Sequence, residues 1–203
     1  MNKYARSTIS AIPPPQGRAA RFALLLFRHV ACGIAALCIF YLSLVATSMP
    51  LPAAERQTID RAVDLLDEKG FRTEAFLLRN AATIRTGENW LNELFAGESS
   101  FASTNFPFEI ITVGPDFFEK THDDLERAMI LLHEAQHLQG RNDAYAYAYI
   151  WKHRQQLGWT QLKYGTSETY VSVELQTREN APELFTCSAN VWHDCTETLR
   201  AKR

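Results

Sequence analysis

No aspartate or glutamate occurs before Glu55 in this chain of 203 residues. Lys3, Arg6, Arg18, Arg21 and Arg28 therefore stand unopposed at the N-terminal end, while all 23 acidic residues fall in the remainder, which is net negative. A net-negative body lacks the basic surface that nucleic acid requires, so no nucleic-acid partner is expected. Cysteine is scarce, 4 in all, and no two form a C-x2-C unit. That removes the usual cysteine zinc knuckle. Methionine is scarcer still: Met1, Met49 and Met129 are the whole set. With only 9 Gly and 8 Pro against 46% apolar residues, and no internal repeat, the chain is neither low-complexity nor disordered. Its length suits one modest domain with an appendage.

The appendage is N-terminal. Residues 30–49 carry no charge, and as a helix rising 1.5 Å per residue they span about 30 Å, the thickness of a bilayer's hydrocarbon core. The preceding apolar FALLLF is separated from this run by Arg28 and His29, which sit most cheaply at the interface. Cations on the N-terminal flank predict a cytoplasmic N-terminus. The expected organisation is a basic cytoplasmic head (1–29), a transmembrane signal-anchor (30–49), a linker (50–54) and an exported domain (55–203), in a single-pass membrane protein with its main domain periplasmic or extracellular. The alternative is a cleaved signal peptide and a secreted domain, with Ala46-Thr47-Ser48 as the small-x-small site. The long basic region and an apolar run beyond the usual h-region of roughly 7–15 residues favour the retained anchor. Cys32 and Cys38, inside the run, act as small hydrophobes. Cys187 and Cys195 are close enough to close a short disulfide loop in an oxidising compartment.

In the exported part, Ile59, Ala62, Val63 and Leu66 recur at helical spacing up to Gly70. A second helix is expected from Thr73, with Phe76, Leu77, Ala81 and Ile84 on one side, ending near Gly87. Residues 96–105 read as a loop. Residues 108–113 (FEIITV) are β-branched and bounded by Pro107 and Gly114-Pro115, which predicts a strand at a sheet edge. Thr121 and Asp124 predict a capped helix with Leu125, Ala128, Met129 and Leu132 inward and Gly140 as its stop. Asn142 or Asp143 caps another helix running through Ile150 and Trp151 to Leu157, stopped by Gly158. Val171, Val173 and Leu175 alternate like a strand, with helix as the alternative. The fold class expected is α+β, mainly helical.

The chemistry lies in the first of those capped helices, where the sequence reads His133-Glu134-Ala135-Gln136-His137. Two histidines four apart project from one helix face, so both can ligate a single metal ion. Glu134, beside them, is placed to take a proton from a water that the ion activates.

This segment resembles the active-site helix of the zincin metallopeptidases over about residues 121–143. The resemblance implies a zincin-like domain, one zinc ion, peptide-bond hydrolysis of a protein or peptide substrate with Glu134 as general base, and a third protein ligand beyond the helix. It also implies that the edge strand at 108–113 flanks the cleft and pairs with an extended substrate. Read onward, HEAQHLQGRND is similar to the H-E-x-x-H-x-x-G-x-x-D pattern of snapalysin-like metzincins. By that similarity Gly140 makes the turn and Asp143 completes the metal site with His133 and His137. No methionine follows Met129, so the metzincin methionine turn is absent. An N-cap role is the other reading of Asp143, and Glu168 and Glu174 are gluzincin-like alternatives as ligand. Tyr164, Tyr170 and His193 are the candidates for stabilising an oxyanion.

Two other classes compete. Glu119-x-x-His122 and Glu134-x-x-His137 together imitate the repeated E-x-x-H of di-iron bundles, but they lie 15 residues apart with a helix cap between them. The second rival is a non-catalytic, membrane-tethered binding or scaffolding domain with an incidental His pair and Tyr145, Tyr147, Tyr149, Trp151 and Trp159 as its contact surface.

Overall fold

A computed structural model of the chain describes residues 17–87, 89–95, 101–188 and 190–197. The molecule is mainly helical with a small mixed sheet, and it divides into two compact units, Met1–Leu42 and Ser43–Arg203. Helix α1 (Arg18–Thr47) is long and apolar enough to cross a membrane. It runs unbroken through Arg28 and His29, because the helix satisfies its own backbone there and the His29 ring lies 2.7 Å from the Leu25 carbonyl. Its last turn belongs to the second unit.

Residues 50–54, expected as linker, are partly built into the domain: β1 (Met49–Pro50) joins the sheet and α2 (Ala53–Glu68) starts within that stretch. Ile59, Ala62, Val63 and Leu66 of α2 are buried as their spacing predicts. Helix α3 (Arg72–Asn80) departs from expectation. It turns Ala75 and Leu78 inward, leaves Phe76 62% exposed, and ends well before Gly87. Ile84 belongs instead to β2 (Thr83–Thr86), where its β-branched neighbours suit a pleated surface and find a ladder to join.

After α4 (Trp90–Phe95) come β3 (Ala102–Asn105) and β4 (Ile110–Val113). The strand order is β1-β2-β4-β3, with β2 and β4 parallel and the outer pairs antiparallel. The strand expected at 108–113 is therefore interior, and all four residues of β4 are buried. Pro107 and Pro115 lie outside its ladder and take no hydrogen bond from it, which is why they do not force it to an edge. The outer strand on the β4 side is β3, from the segment read as a loop; residues 96–100 of that segment lie outside the described residues.

Short α5 (Asp116–Glu119) leads to α6 (Asp124–Leu138), the centre of the core, packed against α2, α3 and β3 and, as its next neighbour, α7 (Asp143–Leu157). The cap of α6 is Asp123, whose carboxylate accepts from the Leu125 and Glu126 amides. Thr121, the expected cap, donates instead to the Phe117 carbonyl behind it. Asn142 caps α7 by accepting from the Tyr145 amide, and Gly158 at φ 89° ends it, as expected. Helix α8 (Gln161–Tyr164) precedes α9 (Glu168–Asn180). The apparent alternation of Val171, Val173 and Leu175 is thus helical: Thr169, Tyr170, Val173 and Thr177 face inward, while Val171 and Leu175 are exposed. Trp151 and Trp159 pack with Tyr170 in the core, not on a contact surface.

The C-terminal segment is closed by the Cys187–Cys195 disulfide. Asp194, next to that bridge, is buried and accepts from Arg154 and from the Trp151 indole, tying the segment to α7.

Candidate metal centre

Helix α6 is enclosed by its neighbours, so its histidines face a cleft rather than open solvent. His133 is 8% exposed. One turn on, His137 brings its Nε2 to 3.0 Å from that of His133. The chain then leaves α6 through Gly140 at φ 73°, a left-handed turn that a side chain would strain and whose Cβ would meet the Phe106 ring. That turn delivers Asp143 at the head of α7, with Oδ1 3.3 Å from His137 Nε2 and 3.8 Å from His133 Nε2. The three potential ligand atoms lie within 4.8 Å of one another, and the group could hold a metal ion.

The protonation pattern suits that use. The Arg141 carbonyl, 2.8 Å from His137 Nδ1, can accept from that nitrogen, which favours the tautomer that turns the Nε2 lone pair toward the site. Burial pushes the His133 imidazolium down to about 3, with the nearby His137 adding to the effect, so this ring is neutral. Two nitrogens bound to one cation at about 2.0–2.1 Å in tetrahedral arrangement sit about 3.3 Å apart. The separations of 3.0, 3.3 and 3.8 Å bracket that spacing, and two imidazole nitrogens and a carboxylate are a donor set a divalent cation accepts.

Glu134 is buried and accepts at Oε2 from the Thr104 hydroxyl of β3, 2.7 Å away. Burial raises its pKa, and the Thr104 hydrogen bond opposes the rise. His133 Nδ1 is buried without a hydrogen-bond partner among the described residues. Its ring is instead packed by the Tyr147 ring, 4.3 Å between centroids, and by the edge of His137. These groups line one cleft of about 540 Å³, bounded by β3, α6, α7 and α9. Tyr147 lines it too, and burial followed by the charges of Asp143 and Glu134 pushes its phenol up to about 12.

The structure brings His133, Glu134, His137 and Asp143 together. Asp143 is both the first residue of α7 and a member of this group; the cap is its neighbour Asn142. The alternatives are engaged elsewhere. Glu168 pairs with Lys120 at 2.8 Å and Glu174 with Arg178 at 2.7 Å. Tyr164 donates to Asp123, Tyr170 packs among the tryptophans, and His193 sits in the disulfide loop; none of the three lines the cleft. His122 lies against Glu126 rather than joining His137 in a paired iron site. Sequence reasoning missed Thr104, hidden in a stretch read as loop. It also missed Tyr147 as a cleft residue, although that tyrosine lies one helical turn beyond Asp143.

No protein-family model, curated protein or solved structure matches this chain. Fold and site together define a mainly helical domain behind an apolar helix, with a histidine, histidine and aspartate group beside the outer strand of a sheet.

Proposed function

We propose that this protein is a membrane-tethered zinc metallopeptidase of zincin-like design that hydrolyses protein or peptide substrates outside the cytoplasm. The observation that carries the reading is the convergence of His133, His137 and Asp143 within 4.8 Å, with Glu134 in the same cleft. Zinc held there supplies a Lewis acid that polarises the scissile carbonyl and lowers the pKa of water at the site. Glu134 takes a proton from the attacking water as its oxygen bonds to the carbonyl carbon, then passes that proton to the amide nitrogen as the C–N bond breaks. The products are a carboxylate and an amine. Thr104 holds the Glu134 carboxylate by its hydroxyl, and β3, as the outer strand lining the cleft, suits an extended peptide.

The test uses the full chain in detergent. One zinc per chain is expected, together with cleavage of members of a peptide library that chelation stops and zinc restores. His137→Ala should lose both metal and cleavage. A parent protein that takes up no metal would overturn the proposal.

Different residues support the tether. Arg85 of β2 donates to the Val45 and Ser48 carbonyls, each at 2.9 Å, and Trp90 donates to the Ser43 hydroxyl at 3.0 Å. Leu44 is fully buried. The Ala46-Thr47-Ser48 segment is thus held in hydrogen-bonded structure, whereas a signal peptidase needs an extended one, and its removal would strip Arg85 of its acceptors. The expected result is that protein extracted from membranes retains residues 1–48 by intact mass and resists carbonate extraction. A mature N-terminus at Met49 would show the signal to be cleaved. The Cys187–Cys195 disulfide and the unopposed N-terminal cations support export of the domain.

A further inference from the structure

Met49, Thr86, Val113 and Ala102 form one row across the sheet, each in register with the next. Met49, at one end of the row, follows α1 almost directly, and the last turn of that helix is fixed to the sheet through Arg85 and the buried Leu44. Ala102, at the other end, begins β3 and lines the cleft together with Phe101, Ser103 and Thr104, whereas Asn105 at the far end of β3 does not. Neighbouring strands lie about 4.8 Å apart, so three steps put Ala102 about 14 Å from Met49, and Thr104, two residues further along β3, about 16 Å from it. Thr104 in turn holds Glu134. The catalytic end of the cleft is therefore close to the point where the chain leaves its apolar helix. The surface at that point suits lipid: Trp90 donates to Ser43 in the last turns of α1, and Met49 and, one turn on from Trp90, Leu94 are exposed apolar side chains.

From this we infer that the substrates are proteins anchored in the same membrane, cut in an extended segment about 5–10 residues from where it leaves the lipid. The inference rests on the peptidase and tether readings above. Five extended residues, at about 3.3 Å each, cover the 16 Å to Thr104, so a segment emerging from the bilayer reaches Glu134 and can lie along β3 from Ala102 onward. Anchoring both molecules in one bilayer also raises the effective concentration of a site held at that height, and the gain falls as the spacer lengthens. Hydrolysis there, by the water step already described, leaves a short stub in the membrane and frees the rest of the protein.

The test places the sequence of the best-cleaved library peptide after a model transmembrane helix, separated from it by an unstructured Gly/Ser spacer of about 6, 12 or 24 residues. Each substrate is reconstituted with the full chain in phosphatidylcholine and phosphatidylglycerol vesicles, with both exported segments on the same side. Lengthening the spacer from the shortest to the longest should slow cleavage about 4–8-fold. Placing enzyme and substrate in separate vesicles should slow it at least about 10-fold. A rate that stays level or rises with spacer length, an equal rate from separate vesicles, or no cleavage in the mixed vesicles would overturn the proposal, and the peptidase reading would stand as long as the free peptide is still cut in detergent. A zinc-loaded parent that cleaves neither free nor anchored peptide would overturn both.

Discussion

Glutamine in place of Glu134 is expected to leave zinc bound and to lower kcat by about 10³-fold, within the range a positioned general base contributes. The substitution is close to isosteric in a buried site, and its amide oxygen can keep the Thr104 hydroxyl as donor. Packing and the metal group should therefore survive, and only the capacity to accept a proton is lost. Metal content by mass spectrometry and the thermal midpoint should match the parent, which separates loss of chemistry from loss of structure. A Glu134→Gln protein that turns over at the parental rate would eliminate Glu134 as base, and with it the hydrolytic scheme.

The largest expected effect on stability is at Asp194. Arg154 is 1% exposed and Asp194 2% exposed, and Asp194 also accepts from the Trp151 indole at 3.0 Å. Truncating Asp194 to alanine breaks this buried ion pair and leaves the guanidinium only the partly exposed Glu197 carboxylate, 3.2 Å away; breaking a buried pair typically costs about 3–5 kcal/mol. For a domain of this size each kcal/mol moves the midpoint by about 2–4 °C, so a fall of about 10 °C is expected in a thermal melt. Exchanging both partners, Arg154→Met with Asp194→Ala, should recover part of that loss because no charge is then stranded. An unchanged midpoint for Asp194→Ala would show that water reaches the guanidinium. By contrast, Arg79 pairs with Asp64 and Asp67 at the surface, with 40% of its side chain exposed, and such pairs contribute about 0–1 kcal/mol. The distinction has a functional side. Arg154 continues the α7 stripe of Asp143, Tyr147 and Ile150, so the buried pair that secures the C-terminal segment also holds the helix that carries a potential metal ligand.

Elements whose signal is local were legible. The inward stripe of α2, the Asn142 cap and Gly158 stop of α7, the apolar run of α1 and the Cys187–Cys195 pairing all follow from spacing and residue type over short stretches. Misreadings arose where a distant partner outweighed the local pattern. Ile84 fits a helical stripe beside Leu77, yet the parallel ladder with β4 draws it into a strand. The prolines around residues 108–113 suggest an edge, yet they lie just beyond the paired residues. Asp123, not Thr121, caps α6 because Thr121 is committed to the preceding turn.

The candidate site divides in the same way. That His133 and His137 share a face needs only the 3.6-residue helical repeat, so the primary structure sufficed for the pair and for Glu134 beside it. Whether Asp143, Glu168 or Glu174 joins them depends on how α7 and α9 pack on α6, and the fold answers with Asp143 at 3.3 Å and the glutamates in ion pairs elsewhere. Thr104 and Tyr147 reach the cleft through strand order and helix packing. Those contacts join residues far apart along the chain, and short-range pattern holds no record of them until the backbone closes.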